Sequence, residues 1–455
     1  MKEFDFIIIG SGQAGVPLAF SLSKKGTVAL IEKSFIGGTC VNTGCVPTKA
    51  YVASARRIWD SLHGEEMGVE IPAGAKANLE KIKARKEILV NASREGIEKS
   101  IAENDKITLF RGEANFISNY QIEVDDCKIT AKQIFINVGA RAIIPKEYLK
   151  VDYLTNVDIL QLTKLPEHLI IIGGSYIGLE FGQMFKRFGS KVTIIESGDR
   201  LISKEDENVS NAIAEILQEE QIAIEFNAKE VSVSQNDKLI SVQINGANKE
   251  ISGSHLLLAV GRLPNTDTLY LKKTSIICDE KGYITIDNYC RTNVEGIFAI
   301  GDCNGKGAFT HTSYNDFQIV EDYVLGAKKR KISDRIITYG LFIDPPLGRV
   351  GMTKGEAKEK GFSVLIGHRS MDKIGRAKEK GETKGFMEAI IDAETNQFLG
   401  ACVLGVGGDE IISGITNLMY AKQPYTVLRD VIHLHPTVSE LIPTMLENLK
   451  LITKE

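Results

Sequence analysis

Cysteine is scarce in this chain, with seven residues in 455. An odd and thinly spread set of that size excludes the disulfide framework that staples small secreted domains. Long apolar runs are missing as well. No stretch approaches the roughly 18 apolar residues that suggest a membrane span. The start, Met1-Lys2-Glu3-Phe4-Asp5, places acids where a secretory leader needs basic residues. The expectation is a cytoplasmic protein with no membrane partner. Net charge is only -4, so no broad basic surface offers itself to nucleic acid. The one basic run, Lys328-Lys329-Arg330-Lys331, reads as a solvated loop or helix end. Hydrophobic residues at 43% and charged residues at 25% suit ordinary packed cores, and the length allows about three of them.

Strand-like and helix-like runs alternate, which predicts an α/β fold with parallel sheet. One pattern occurs twice. Phe6-Ile7-Ile8-Ile9 leads into Gly10-Ser11-Gly12-Gln13-Ala14-Gly15, then a helical stretch, then Val28-Ala29-Leu30-Ile31-Glu32. Leu169-Ile170-Ile171-Ile172 leads into Gly173-Gly174-Ser175-Tyr176-Ile177-Gly178, a helical stretch and Val192-Thr193-Ile194-Ile195-Glu196. The first glycine permits a tight turn, the second admits a pyrophosphate to the backbone, and the third lets helix and strand pack closely. The helix start then offers unpaired N–H groups to phosphate. Glu32 stands 22 residues after Gly10 and Glu196 stands 23 after Gly173, the spacing for a carboxylate that accepts from an adenosine ribose. Two dinucleotide sites are therefore expected. In the second, Ser175 replaces the middle glycine. Glu196 repels the 2′-phosphate of NADPH, so NADH is expected, while Arg200 keeps NADPH open.

Only Cys40 and Cys45 are close in sequence. The others, Cys127, Cys278, Cys290, Cys303 and Cys402, read as small apolar residues. Cysteines five apart in a continuous helix lie about 7.5 Å apart along the axis, beyond the roughly 4.4–6.8 Å that a disulfide tolerates. A bridge here needs a broken helix or a loop, and Gly44 supplies the freedom. So small a ring stabilises little through chain entropy, and no Cys/His cluster of metal spacing accompanies it. The pair reads as a redox reagent. Cys40 follows Glu32 by eight residues, so the first glycine turn shares its neighbourhood, and FAD is assigned there. The nicotinamide cofactor is assigned to the second turn. Strand-like Gly296-Ile297-Phe298-Ala299-Ile300 ends in Gly301-Asp302, a carboxylate for the flavin ribityl or simply a turn. His435, with Glu440 five residues on, reads either as an oriented acid/base or as a surface histidine. His433 supports it, and His311 lines the flavin or packs.

The segments GGTCVNTGCVPTK at 37–49, NVGAR at 137–141, VGRLPN at 260–265, GIFAIGD at 296–302 and HLHPTVSE at 433–440 resemble those of the pyridine nucleotide–disulfide oxidoreductases, nearly end to end. The resemblance implies two Rossmann-like domains, for FAD and NAD(P), plus a C-terminal α+β dimerisation domain. The implied division is 1–147 for the first part of the FAD domain, 148–266 for NAD(P), 267–336 for the second, central part of the FAD domain and 337–455 for dimerisation. It implies that Cys45 lies nearest the flavin and that Cys40 attacks substrate. It places Lys49 and Glu180 in an ion pair beside the isoalloxazine, and Gly139 and Gly261 at the cofactor sites. His435, oriented by Glu440 and followed by a cis Pro436, would act on the disulfide of the other subunit of a homodimer. VPTKAYVASA at 46–55, FTHTSYNDFQIV at 309–320 and DPPLGRVGMT at 344–353 resemble the mercuric-reductase-like and reactive-chlorine-resistance branch. Mercuric reductases carry a C-terminal cysteine pair, and this chain has no cysteine after Cys402. The expected substrate is a small disulfide or a thiol-reactive metal ion. Dihydrolipoamide dehydrogenase is the alternative activity, followed by an NADH oxidase or peroxidase and by a non-enzymatic redox-sensing flavoprotein.

Overall fold

Runs of valine, isoleucine and leucine bounded by glycine form strands buried on both faces, as parallel sheets covered by helices require. The computed structural model of the chain describes residues 1–71, 74–246 and 249–452. Its first parallel sheet has five strands in the order Ile297–Ala299, Gln133–Ile136, Phe6–Ile9, Val28–Glu32 and Ile107–Arg111. The second has four, in the order Ala223–Glu225, Lys191–Ile195, His168–Ile172 and His255–Leu258. In each, the strand that enters the glycine turn lies inside the sheet, flanked by its sequence successor on one side and a later strand on the other. That switch in strand order opens a crevice at the carboxyl ends, where such sheets bind ligands.

Two antiparallel strands, Ala140–Ala142 and Arg262–Pro264, pair where the chain passes between the two sheets. The C-terminal part is a six-stranded antiparallel sheet in the order Thr338–Leu341, Leu347–Gly351, Phe398–Leu404, Phe386–Asp392, Val364–Ser370 and Lys450–Ile452. The helix Gly408–Tyr420 packs on its Leu347–Gly351 and Phe398–Leu404 strands. The Lys- and Glu-rich stretch after residue 76 is the helix Leu79–Ala102, started by Asn78, whose side chain accepts from Lys81 N at 3.0 Å. It packs along the helix Cys45–Leu62. The basic run at 328–331 is exposed, as expected of a solvated loop, with Arg330 N tied to Asp322 Oδ2 at 2.9 Å. Cys290, Cys303 and Cys402 are buried and Cys127 and Cys278 partly so, in keeping with a packing role. Among the described residues, no helix is long and apolar enough to cross a membrane.

Candidate active site

The two glycine turns use the same construction. Gly10 has φ +102°, and a Cβ there would lie 2.3 Å from the Asn137 carbonyl oxygen. A Cβ on Gly15 would lie 2.1 Å from Gly10 O, so helix Gly15–Ser23 can approach the turn only without one. Gly173 has φ +112° and a Cβ position 2.4 Å from Ala259 O, and that of Gly178 is 2.0 Å from Gly173 O. The two carboxylates also match. Glu32 Oε2 accepts from Ser11 N at 3.0 Å and Ser11 Oγ at 2.7 Å. Glu196 Oε2 accepts from Gly174 N at 2.7 Å, and its Oε1 from Gly198 N at 2.7 Å. Each carboxylate thus ties the end of the second strand to the turn after the first.

Both turns open into one cleft of about 2530 Å³, lined among others by Gly12, Glu32, Cys40, Cys45, Ser175 and Glu196. A single drug-sized site occupies roughly 300–1,000 Å³, so this cleft has room for two dinucleotides. Gly139, Gly261 and Asp302 line it too. Asp302 faces Arg262 at 3.3 Å, and burial raises its pKa. The residues present thus fit FAD: a phosphate-sized turn at a helix start, a carboxylate for ribose and a second carboxylate in the cleft.

The cysteines lie on a broken helix. Gly38–Asn42 ends in Thr43, Gly44 leaves helical geometry, and Cys45 begins the helix Cys45–Leu62. That break brings the two thiols within hydrogen-bonding reach of each other. Both are free, with Cys45 exposed on the cleft wall. The Cys40 thiol, as donor, is the main cause holding Cys45 down at about 6. The Thr310 hydroxyl and Lys49 assist, and burial opposes. The same hydrogen bond keeps the proton on Cys40, whose pKa is raised. One helical turn on, Lys49 Nζ meets Glu180 Oε2 at 2.7 Å, and Glu180 Oε1 accepts from Phe342 N at 3.0 Å. The Lys49 ammonium also lies 4.3 Å from the centre of the Phe342 ring.

His435 is elsewhere. Its Nδ1 is 2.9 Å from Glu440 Oε2, its peptide bond to Pro436 is cis, and its side chain is 80% exposed. Neither it nor Glu440 lines the cleft of its own chain. Exposed Val431, Ile432 and Leu434 flank it, an apolar face bare in one chain. His433 Nε2 rests on Leu428 O at 2.8 Å, and His311 lines the cleft with Nε2 2.6 Å from Thr338 O.

Family comparisons fit this geometry. Residues 4–316 match the model described as pyridine nucleotide-disulphide oxidoreductase, and residues 337–446 match the dimerisation domain of the same group. The chain belongs to the pyridine nucleotide-disulphide oxidoreductases. The probable pyridine nucleotide-disulfide oxidoreductase RclA of Escherichia coli is 35% identical over 465 residues, spanning 99% of this chain and 100% of that protein. A mercuric reductase of Staphylococcus aureus is 33% identical, over 91% of this chain and 76% of that protein. A dihydrolipoyl dehydrogenase of Chlamydia muridarum is 30% identical, over 97% and 95%. A solved Cu(II) complex of the HOCl-induced flavoprotein disulfide reductase RclA superposes with a TM-score of 0.90 at 34% identity, covering 98% of this chain and 99% of that one.

This oxidoreductase is therefore an FAD-dependent enzyme that uses NAD(P)H and acts on sulfur, and it carries the dimerisation domain of its family. The dehydrogenase, oxidase, peroxidase and non-enzymatic alternatives are not favoured by these relatives. Several site neighbours carry no signal in local sequence. Thr310 touches Cys45 across 265 residues, and Phe342 N reaches Glu180 across 162. Tyr339 Oη donates to Glu205 Oε1 at 2.5 Å, and Glu205 also receives the buried Arg349.

Proposed function

We propose that NADH enters at the turn Gly173–Gly178, that FAD lies along Gly10–Gly15, and that electrons leave through Cys40 to a small disulfide or a thiol-reactive metal ion. The observation that carries this reading is the cysteine pair itself, on the wall of a cleft that both glycine turns share. Glu196 holds the ribose end of NADH, and its charge disfavours a 2′-phosphate. Glu32 holds the FAD ribose, with Gly139, Lys49 and Asp302 along the cofactor and Gly261 on the nicotinamide side. Bound FAD supplies the two-electron relay between nicotinamide and the cysteine pair. The domain division at residues 147, 266 and 336 belongs to the same reading. The five-stranded sheet supports it, because it takes strands only from the first and third stretches.

On a disulfide substrate, His435 of the second subunit removes the Cys40 proton, and the Cys40 thiolate attacks one substrate sulfur. The first thiol leaves with the proton from His435, which Glu440 holds in position. Cys45 thiolate then attacks Cys40 and restores the internal disulfide, and the second substrate sulfur leaves as a thiolate that takes up a proton from solvent. One turnover converts NADH, a proton and RSSR into NAD+ and two RSH. A thiol-reactive metal ion would meet the same two sulfurs. The names of the RclA–Cu(II) complex and the mercuric reductases support that substrate class. The reducing cytoplasm suits a chain whose remaining cysteines are unpaired. Purified enzyme with NADH, offered lipoamide, glutathione disulfide, Hg(II) and Cu(II) in parallel, tests the reading. Turnover of a metal ion or glutathione disulfide above lipoamide is expected, and lipoamide far ahead of the rest would refute it.

A further inference from the structure

Phe342, Ile343 and Asp344 form a strap between the strands Thr338–Leu341 and Leu347–Gly351 of the C-terminal sheet. It lies along two helices that pack on each other. One is Cys45–Leu62, which starts at the cysteine pair, and the other is Tyr176–Phe188, which starts at the second glycine turn. Strap and helices advance together. Phe342 N donates to Glu180 Oε1 at 3.0 Å. Further along, Asp344 N donates to Gln183 Oε1 at 2.7 Å, and Asp344 O accepts from Gln183 Nε2 at 2.9 Å. The Asp344 carboxylate then accepts from Arg187 Nη1 at 2.5 Å on the same helix. From the other helix, Arg56 Nη1 reaches its two oxygens at 2.7 and 2.8 Å. Successive side chains of an extended chain point to opposite sides, and Ile343 is buried in the core with Leu341.

The Lys49 ammonium sits on a flexible stem, so its place is set by what it touches. It meets Glu180 Oε2 at 2.7 Å and lies 4.3 Å from the centre of the Phe342 ring. The other oxygen of Glu180 is the one held by Phe342 N. Both partners of Lys49 therefore take their position from Phe342. Packing of Ile343 fixes the depth of the strap, but apolar contact is non-directional. The Gln183 side chain turns freely enough to follow the strap. The carboxylate of Asp344 is gripped from two helices at once, and that grip fixes the register. Burial opposes its ionisation, yet Arg187 and Arg56 hold its carboxyl below the usual carboxylate range.

We propose that Asp344 is a positioning residue for the flavin side of the enzyme: its carboxylate sets the register of the Phe342–Asp344 strap along the two helices, and thereby the place of the Lys49 ammonium. The proposal rests on the reading that Lys49 lies along the cofactor. A positive charge held there favours the electron-rich, reduced state of the flavin. A segment of the C-terminal sheet thus tunes how readily the flavin takes electrons, without touching it.

The test is an anaerobic equilibrium titration of the bound flavin against NADH and NAD+. It uses flavin-loaded protein carrying Cys40→Ser and Cys45→Ser, so that the flavin is the only two-electron couple in the chain. Asp344→Asn should fold, because each arginine keeps another carboxylate: Arg187 has Glu220 at 2.7 Å, and Arg56 has Asp60 at 2.7 Å and Glu382 at 3.1 Å. Its equilibrium constant for flavin reduction should fall about tenfold, a potential about 30 mV more negative. Phe342→Leu, which removes the ring beside Lys49, should shift it in the same direction. Glu382→Gln removes a carboxylate from the same Arg56 without touching the strap and should leave it unchanged. KM for NADH should not change in any of them, because the turn Gly173–Gly178 is untouched. An Asp344→Asn potential equal to that of the parent, or a Glu382→Gln shift as large as that of Asp344→Asn, overturns the proposal. Lys49→Met separates the two claims. If the potential falls in Lys49→Met but not in Asp344→Asn, only the role of Asp344 fails. If Lys49→Met leaves the potential in place, the reading of Lys49 fails and the proposal falls with it.

Discussion

Replacing Glu205 by Gln should destabilise the protein far more than a typical charge change. Glu205 and Arg349 both have side chains with 0% exposure, and the guanidinium meets Glu205 Oε2 through Nε at 3.1 Å and through Nη2. Arg349 Nη1 has no partner of its own, and Asp206 stands off at 3.9 Å. Removing one partner of such a pair costs about 3–5 kcal/mol, because the other charge stays buried. Gln keeps one acceptor oxygen for Arg349 or Tyr339, and Asp206 takes part of the charge, so the low end applies, about 3 kcal/mol. A cooperative unit of roughly 150–250 residues loses about 2–4 °C per kcal/mol, which gives about 6–12 °C. The assay is thermal unfolding followed by circular dichroism and flavin fluorescence. FAD, protein concentration and scan rate are held fixed, because cofactor, dimer and irreversibility each shift Tm. Adding Arg349→Met to Glu205→Gln removes the stranded charge and should recover at least half of the loss. A single variant within about 2 °C of wild type, or a double variant no better than the single, would refute the reasoning.

Gly15→Ala places a Cβ 2.1 Å from Gly10 O and should yield protein without bound flavin, read from visible absorbance. Gly178→Ala makes the matching clash at 2.0 Å and should keep its flavin while KM for NADH rises at least about tenfold, measured by stopped-flow reduction. Cys40→Ala removes the main cause that holds Cys45 at about 6, so the thiolate absorbance of the reduced variant near 240 nm should titrate at higher pH. The sign is that of a depressed acid: stabilisation by the folded thiolate is full above the ordinary thiol value and is lost as pH falls through about 6. His435→Gln should lower disulfide turnover by about 10²–10⁴ while flavin reduction by NADH stays within about twofold.

The parts of this molecule that were legible in the sequence are those where sterics or covalent spacing dictate the residue type. Gly10, Gly15, Gly173 and Gly178 stand where a Cβ would strike backbone, and backbone cannot yield. The separation of Cys40 from Cys45 required a break in the helix, and the break falls at Thr43 and Gly44. Glu440 lies close enough after His435 for a local contact, and the contact is there. What stayed illegible was long-range. A threonine that opens a helix, a buried arginine in a strand and a backbone N–H at Phe342 have no pattern of their own. Each acquires its meaning only from a carboxylate or thiol more than 130 residues away. Such partners follow from how the sheets are stacked, which no local window contains.

The bare imidazole of His435 has a consequence for how this enzyme responds to dilution. Each chain brings both glycine turns and both thiols to its own cleft, yet it carries His435 exposed and outside that cleft. On the proposed reading the two half-reactions then have different molecularities. Uptake of electrons belongs to a single chain, whereas their delivery to a disulfide belongs to a pair. As the concentration drops below the dimer dissociation constant, NADH-dependent dye reduction should persist per mole of flavin while disulfide turnover decays with the fraction of paired chains. Abundance itself then acts as a gain control on the output of the enzyme and leaves its input untouched.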